Sequence, residues 1–138
     1  MYKNDLKTSI DELDRTFASV NVLNGDFSVY LEDFDSVYGY LFNSKYEKIG
    51  SLKTTALSAK YEMFLGSAVK NAIHYTYFSN NRNKKFSIQS FDFENKQAET
   101  KEIDLSLKKE KFLQSFTYNN TFYILSIVKD QSLINLYV

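Results

Sequence analysis

Cysteine, proline and tryptophan are absent from the 138 residues, and glycine occurs only four times. Without cysteine there is no disulfide, no thiolate nucleophile and no Cys-type zinc site. With no proline and little glycine, chain reversals must rely on residues that tolerate a left-handed backbone, asparagine above all. The tips Asn24-Gly25-Asp26, Asn80-Asn81, Glu94-Asn95 and Asn119-Asn120 fit that role. The single histidine, His74, leaves no histidine-rich metal site. Neither sign of charge is in excess, with 17 Lys plus Arg against 17 Asp plus Glu. No net field therefore draws the chain to nucleic acid or to an anionic membrane. No apolar run approaches the roughly 18 residues of a spanning helix, and Met1 to Ile10 lacks the basic-then-apolar order of a signal peptide.

What the chain has in quantity is aromatic residues, 11 Tyr and 12 Phe. Such rings favour strands, where their bulk packs across a pleated surface. Strand patterns follow at short intervals. Phe17 to Leu23 leads through Asn-Gly-Asp into Phe27 to Leu31, and Val37 to Phe42 and Tyr46 to Leu52 complete a set of four. A second set reads Phe64 to Val69, Ile73 to Phe78, Phe86 to Phe93 and Glu99 to Leu105; a third reads Phe112 to Tyr118, Phe122 to Val128 and Leu133 to Val138. In Ile73 to Phe78 and Phe122 to Val128 both alternating faces are apolar, which predicts strands sandwiched between layers. Fourth strands such as Glu99 to Leu105 are mostly polar and read as outer edges. A parity switch between Ile88 and Phe91 predicts a β-bulge near Gln89-Ser90. Over Met1 to Arg15, Tyr2, Leu6, Ile10 and Leu13 fit a short helix, while the position in the repeat fits a strand of a preceding sheet; both readings stand.

The strand sets repeat. Glu62-Met63-Phe64-Leu65-Gly66-Ser67 returns 48 positions later as Glu110-Lys111-Phe112-Leu113-Gln114-Ser115, and Asn71 and Tyr75 return as Asn119 and Tyr123. A further step back aligns Phe17, Ser19, Val20, Val22 and Phe27 with Leu113, Ser115, Phe116, Tyr118 and Tyr123. A period of this size filled with strands predicts stacked four-stranded antiparallel sheets. The division is a connector over 1–16, then repeats over about 17–64, 65–112 and 113–138, the last incomplete.

Four antiparallel strands per unit, a two-sided second strand and a polar fourth strand resemble the blades of uncharacterised β-propeller-type repeat proteins, over residues 17–138. The resemblance implies about 2.75 blades and a fragment, since the sequence stops mid-strand at Asn135-Leu136-Tyr137-Val138. Further blades of the same chain, or self-association, would cover the open sheet faces. The alternative fold is an up-and-down β-barrel of lipocalin-like size, holding an apolar ligand among its Tyr and Phe side chains.

Candidate chemistry is sparse. His74 has no Gly-x-Ser-x-Gly elbow to serve and reads as a packing residue. Acids cluster at Asp33 and Asp35 and again at Asp92 and Glu94; paired carboxylates suit glycosidase work or a hard cation, yet at turns they cap the backbone. Arg82 and Lys84 form a basic tip suited to phosphate or an acidic partner, or to keeping an edge from mispairing. These six are the surface candidates, and no catalytic, cofactor or metal residue is assigned. The expected function is a non-catalytic binding or interaction module with a protein or carbohydrate partner. The rival is part of a propeller enzyme whose acids meet in a central channel.

Overall fold

The computed structural model describes residues 13–57, 59–80, 85–104, 110–128 and 133–137. Among the described residues eleven strands follow one another: β1 Arg15–Val20, β2 Phe27–Glu32, β3 Ser36–Phe42, β4 Lys48–Thr55, β5 Met63–Lys70, β6 Ile73–Ser79, β7 Lys85–Asp92, β8 Gln97–Asp104, β9 Glu110–Tyr118, β10 Thr121–Val128 and β11 Leu133–Tyr137. The described residues contain no helix, and every pairing is antiparallel, so the fold is all-β. Three meander sheets result, ordered β1-β2-β3-β4, β5-β6-β7-β8 and β9-β10-β11. None closes on itself, so the expected alternative of one up-and-down barrel is not the architecture. The choice between helix and strand over Met1 to Arg15 falls almost wholly outside the described residues, and Arg15 itself opens β1.

Alternation explains the strands and their burial. In β2 the side chains of Ser28, Tyr30 and Glu32 are buried while Phe27, Val29 and Leu31 are half-buried, which is the period-2 signature of a strand with two different neighbours. The fourth strands β4 and β8 are edges rich in Lys, Glu and Thr, as their polarity predicts.

The second sheet lies between the other two. On one side Phe17, Tyr30 and Val37 pack with Phe78, Phe91 and Phe93; on the other Ala68 and Phe86 pack with Phe122 and Ile124. Rings carry both contacts: Tyr30 meets Phe91 at 4.3 Å between centroids, and Tyr77 lies flat on Phe122 at 3.9 Å and 6°. Each fully buried side chain of this size contributes about 1.5–3 kcal/mol of hydrophobic stabilisation. Gly39 is needed beneath the first contact, because a Cβ there would lie 2.9 Å from Cε1 of Tyr30.

Two expectations fail on the two-sidedness of the middle sheet and on parity. The ladders of β7 with β6 and β8 run without a register shift, so there is no bulge at Gln89-Ser90. Ile88 and Phe91 occupy opposite faces of a regular strand, Phe91 buried against the first sheet and Ile88 half-buried beside an open cavity on the other face, so the switch of parity needs no bulge. Register shifts occur instead at Leu41/Phe42, Phe64/Gly66 and Leu125/Ser126. The first-copy alignment also crosses faces. Ser115 reaches back to the second sheet, bonding the Leu65 carbonyl at 3.3 Å, and Ser67, paired with Thr76, likewise faces the first sheet. Ser19, by contrast, faces forward to His74 of the second sheet. A one-residue slip turns every side chain over; by face, Tyr30 corresponds to Tyr77, 47 positions on, since both reach the following sheet.

Candidate functional site

Antiparallel meanders collect their turns at two ends. The β1–β2, β3–β4, β5–β6, β7–β8 and β9–β10 turns share one end; the β2–β3 turn sits at the other. Asp33 and Asp35 therefore stand at the opposite end from Asp92 and Glu94, separated by about 20 Å, the length of a six-residue strand. The two acid clusters do not converge.

Each cluster is instead occupied with its own turn. Asp33 Oδ1 accepts the N–H groups of Asp35 at 3.0 Å and Ser36 at 2.7 Å. Desolvation works against the Asp33 charge, but those two N–H bonds, the Asp35 side chain and Lys53 together hold its carboxyl below the usual range. Asp92 accepts the Asn95 side-chain amide at 2.8 Å and its backbone N–H at 3.1 Å, and this pair of bonds likewise holds it low. Glu94 is exposed and borders a shallow cavity of 270 Å³ with Asp26, Asn24 and His74. Arg82 and Lys84 lie outside the described residues. Among the described residues no three His, Asp or Glu side chains are grouped to hold a metal ion, and no helix is long and apolar enough to cross a membrane.

His74 is 2% exposed and joins the first two sheets. Its Nδ1 lies 3.0 Å from Ser28 Oγ and 3.3 Å from Ser19 Oγ, and Ser28 Oγ donates to the Tyr30 hydroxyl at 2.8 Å. Burial pushes the imidazole down to about 4, so it is neutral near pH 7. Burial likewise pushes the Tyr30 phenol upward, against the bond from Ser28. The cluster is buried and ties sheet to sheet. A second inter-element tie escaped the sequence. Arg15 Nε bonds Glu32 Oε1 at 2.6 Å, its Nη1 bonds the Glu62 carbonyl at 3.2 Å, and its guanidinium lies 4.6 Å from the Phe78 ring centroid. Arg15 and Glu32 sit on neighbouring strands in register, but only the pairing reveals it.

An open concavity lies at the β1–β2 end, between the second and third sheets. A cavity of 540 Å³ is lined by Ala68 and Tyr77 on its apolar side and by Lys70, Asn71, Tyr75 and Asn119 among its polar groups. Its rim is made by two-residue turns. Asn71-Ala72 and Asn119-Asn120 have positive φ at both positions, 52° and 63°, then 49° and 60°, as type I′ hairpins require. Asn120 is committed to structure: its Oδ1 accepts the Val22 N–H at 3.4 Å and its Nδ2 donates to Asn21 Oδ1 at 3.4 Å. The β9–β10 turn is thereby tied to the β1–β2 turn. Tyr77, stacked on Phe122, has its phenol pushed up to about 12 by burial and by Tyr75. The sequence marked Asn119-Asn120 as a tip, and the Asn71/Asn119 echo was visible; that they flank one cleft follows only from sheet stacking. Comparison with protein-family models, with curated proteins and with solved structures finds no match for this chain.

Proposed function

We propose that this chain is a non-catalytic binding module built from β-propeller-like blades, with a carbohydrate site in the cleft at the β1–β2 end. Support for blades comes from four-stranded meanders stacked in chain order, with β5 next to both β1 and β9 and with polar fourth strands outside. Corresponding tyrosines, Tyr30 and Tyr77, reach the following sheet in turn.

Support for a carbohydrate comes from the lining. The cavity falls within the size range of small-ligand sites, and its lining includes tyrosine rings, side-chain amides, the Thr121 hydroxyl and one cation, Lys70, with no carboxylate. Rings suit the apolar C–H face of a sugar, amides and hydroxyls its OH groups. Lys70 additionally suits an acidic sugar. The observation that carries the reading is that Asn71 and Asn119, whose amides make no side-chain hydrogen bond among the described residues, flank the cleft that holds Tyr75. A glycan array probed with the labelled chain tests it. Binding to a defined set of glycans, weakened at least about tenfold (1.4 kcal/mol) by Tyr75→Ala and by Asn119→Ala, is expected. No glycan bound, or binding untouched by Tyr75→Ala, contradicts the proposal.

A further inference from the structure

The outer face of the third sheet is apolar and exposed. Leu113 is 43% exposed, Phe116 38%, Tyr118 72% and Leu136 52%. Phe116 stacks on Tyr123 at 5.1 Å, with half-buried Leu125 and Ile127 continuing the face along β10. Lys111, paired with Ile127, is the one charge that β9 and β10 contribute there. In the middle sheet, the residues 48 positions before Phe116, Tyr123 and Leu125 are Ala68, Tyr75 and Tyr77. They lie on the face that the third sheet covers, with Ala68 buried and Tyr77 stacked on Phe122. The open face is thus the continuation of an interface already formed once within the molecule.

A matching surface lies at the far side of the stack. Ser19 on β1 points toward the second sheet, so Ala18 and Val20 point away from it, and Val20 is 54% exposed. On β9 the residues facing the preceding sheet are Ser115 and Thr117, both bonded to β5 carbonyls. Ala18 and Val20 hold the corresponding place on β1.

We propose that a second copy of this chain docks head to tail, the outward side of its β1 seated on the outer face of β9 and β10, extending the stack by the same kind of contact. Such an interface is heterologous, so it builds rings or filaments rather than a two-fold dimer.

Sedimentation velocity of the full chain tests this through complementation. The wild type should sediment above its 16.1 kDa monomer mass, with the mass rising with concentration. Phe116→Asp and Val20→Asp each spoil one surface at an exposed position, and each should be monomeric alone with an unchanged near-UV spectrum. Mixed, they retain one intact pair of surfaces and should form a species of twice the chain mass and no larger. A monomeric wild type overturns the proposal. So does association lost in Phe116→Asp but kept in Val20→Asp, which would mean that two third sheets face each other, or a mixture that stays monomeric.

Discussion

His74 of the middle sheet places its Nδ1 3.0 Å from the Ser28 hydroxyl of the first sheet, inside a buried contact between the two. The imidazole is held neutral there by burial, at about 4 against an ordinary 6.5. Between those values the unfolded chain binds a proton that the folded chain does not, so stability rises with pH across the window from 4 to 6.5 and falls on acidification through it. The loss accumulated by pH 4 is about 3 kcal/mol. Urea unfolding at pH 7.5, 5.5 and 4.5 should show this slope in the wild type and a much flatter one in His74→Gln. Asp33 and Asp92, held low in the folded state, add their own loss only as pH falls through the carboxylate range below that window. Parallel slopes in wild type and variant would contradict the assignment.

Phe122 is buried and covered by Tyr77. Phe122→Ala should cost about 3–5 kcal/mol, and a double-mutant cycle with Tyr77→Ala should leave a coupling of about 0.5–1.5 kcal/mol. Chemical denaturation of the four proteins gives both quantities. Additive losses would mean that the two rings are not in contact.

Arg15 and Glu32 form an ion pair with 23% and 8% of their side chains exposed. Removing only the cation by Arg15→Ala strands the more buried carboxylate and should cost about 3 kcal/mol. The double variant Arg15→Leu/Glu32→Leu should be less destabilised than Arg15→Ala, because no charge is left without its partner. The opposite order, read from urea midpoints, would show that the pair matters for attraction rather than for avoided desolvation.

Ala72 adopts φ +63° in its turn, a left-handed conformation that costs a residue with a Cβ about 1–2 kcal/mol. Ala72→Gly should stabilise the fold by about 1 kcal/mol, visible as a higher thermal midpoint. The turn need not change shape, and an unchanged or lower midpoint would refute the strain.

Strand positions were legible because alternation such as Phe27, Val29 and Leu31 depends only on local geometry, and polar fourth strands read correctly as edges. Register between sheets was not. Ser19 matches Ser67 and Ser115 in sequence, yet it points forward while they point back, because hydrophobic class does not say which of two covered faces a residue takes. Ile88 and Phe91 misled for the same reason, since a strand with apolar residues on both faces carries no single parity. The acid clusters looked like chemistry because spacing brings Asp33 near Asp35 and Asp92 near Glu94; Asp33 and Asp92 bind their own turns, and Asp35 and Glu94 are exposed. The cleft escaped because Asn71, Tyr75 and Asn119 come together only when the second and third sheets stack.

The middle sheet packs against a neighbour on each face, and no ladder joins β1 to β11. A two-dimensional NOESY spectrum with assigned aromatic rings tests this directly. Cross-peaks between Tyr30 and Phe91 and between Tyr77 and Phe122 should appear together in one folded species. Absence of either pair, or Hα–Hα cross-peaks between β1 and β11 of the kind a closed barrel requires, would contradict the stacked arrangement.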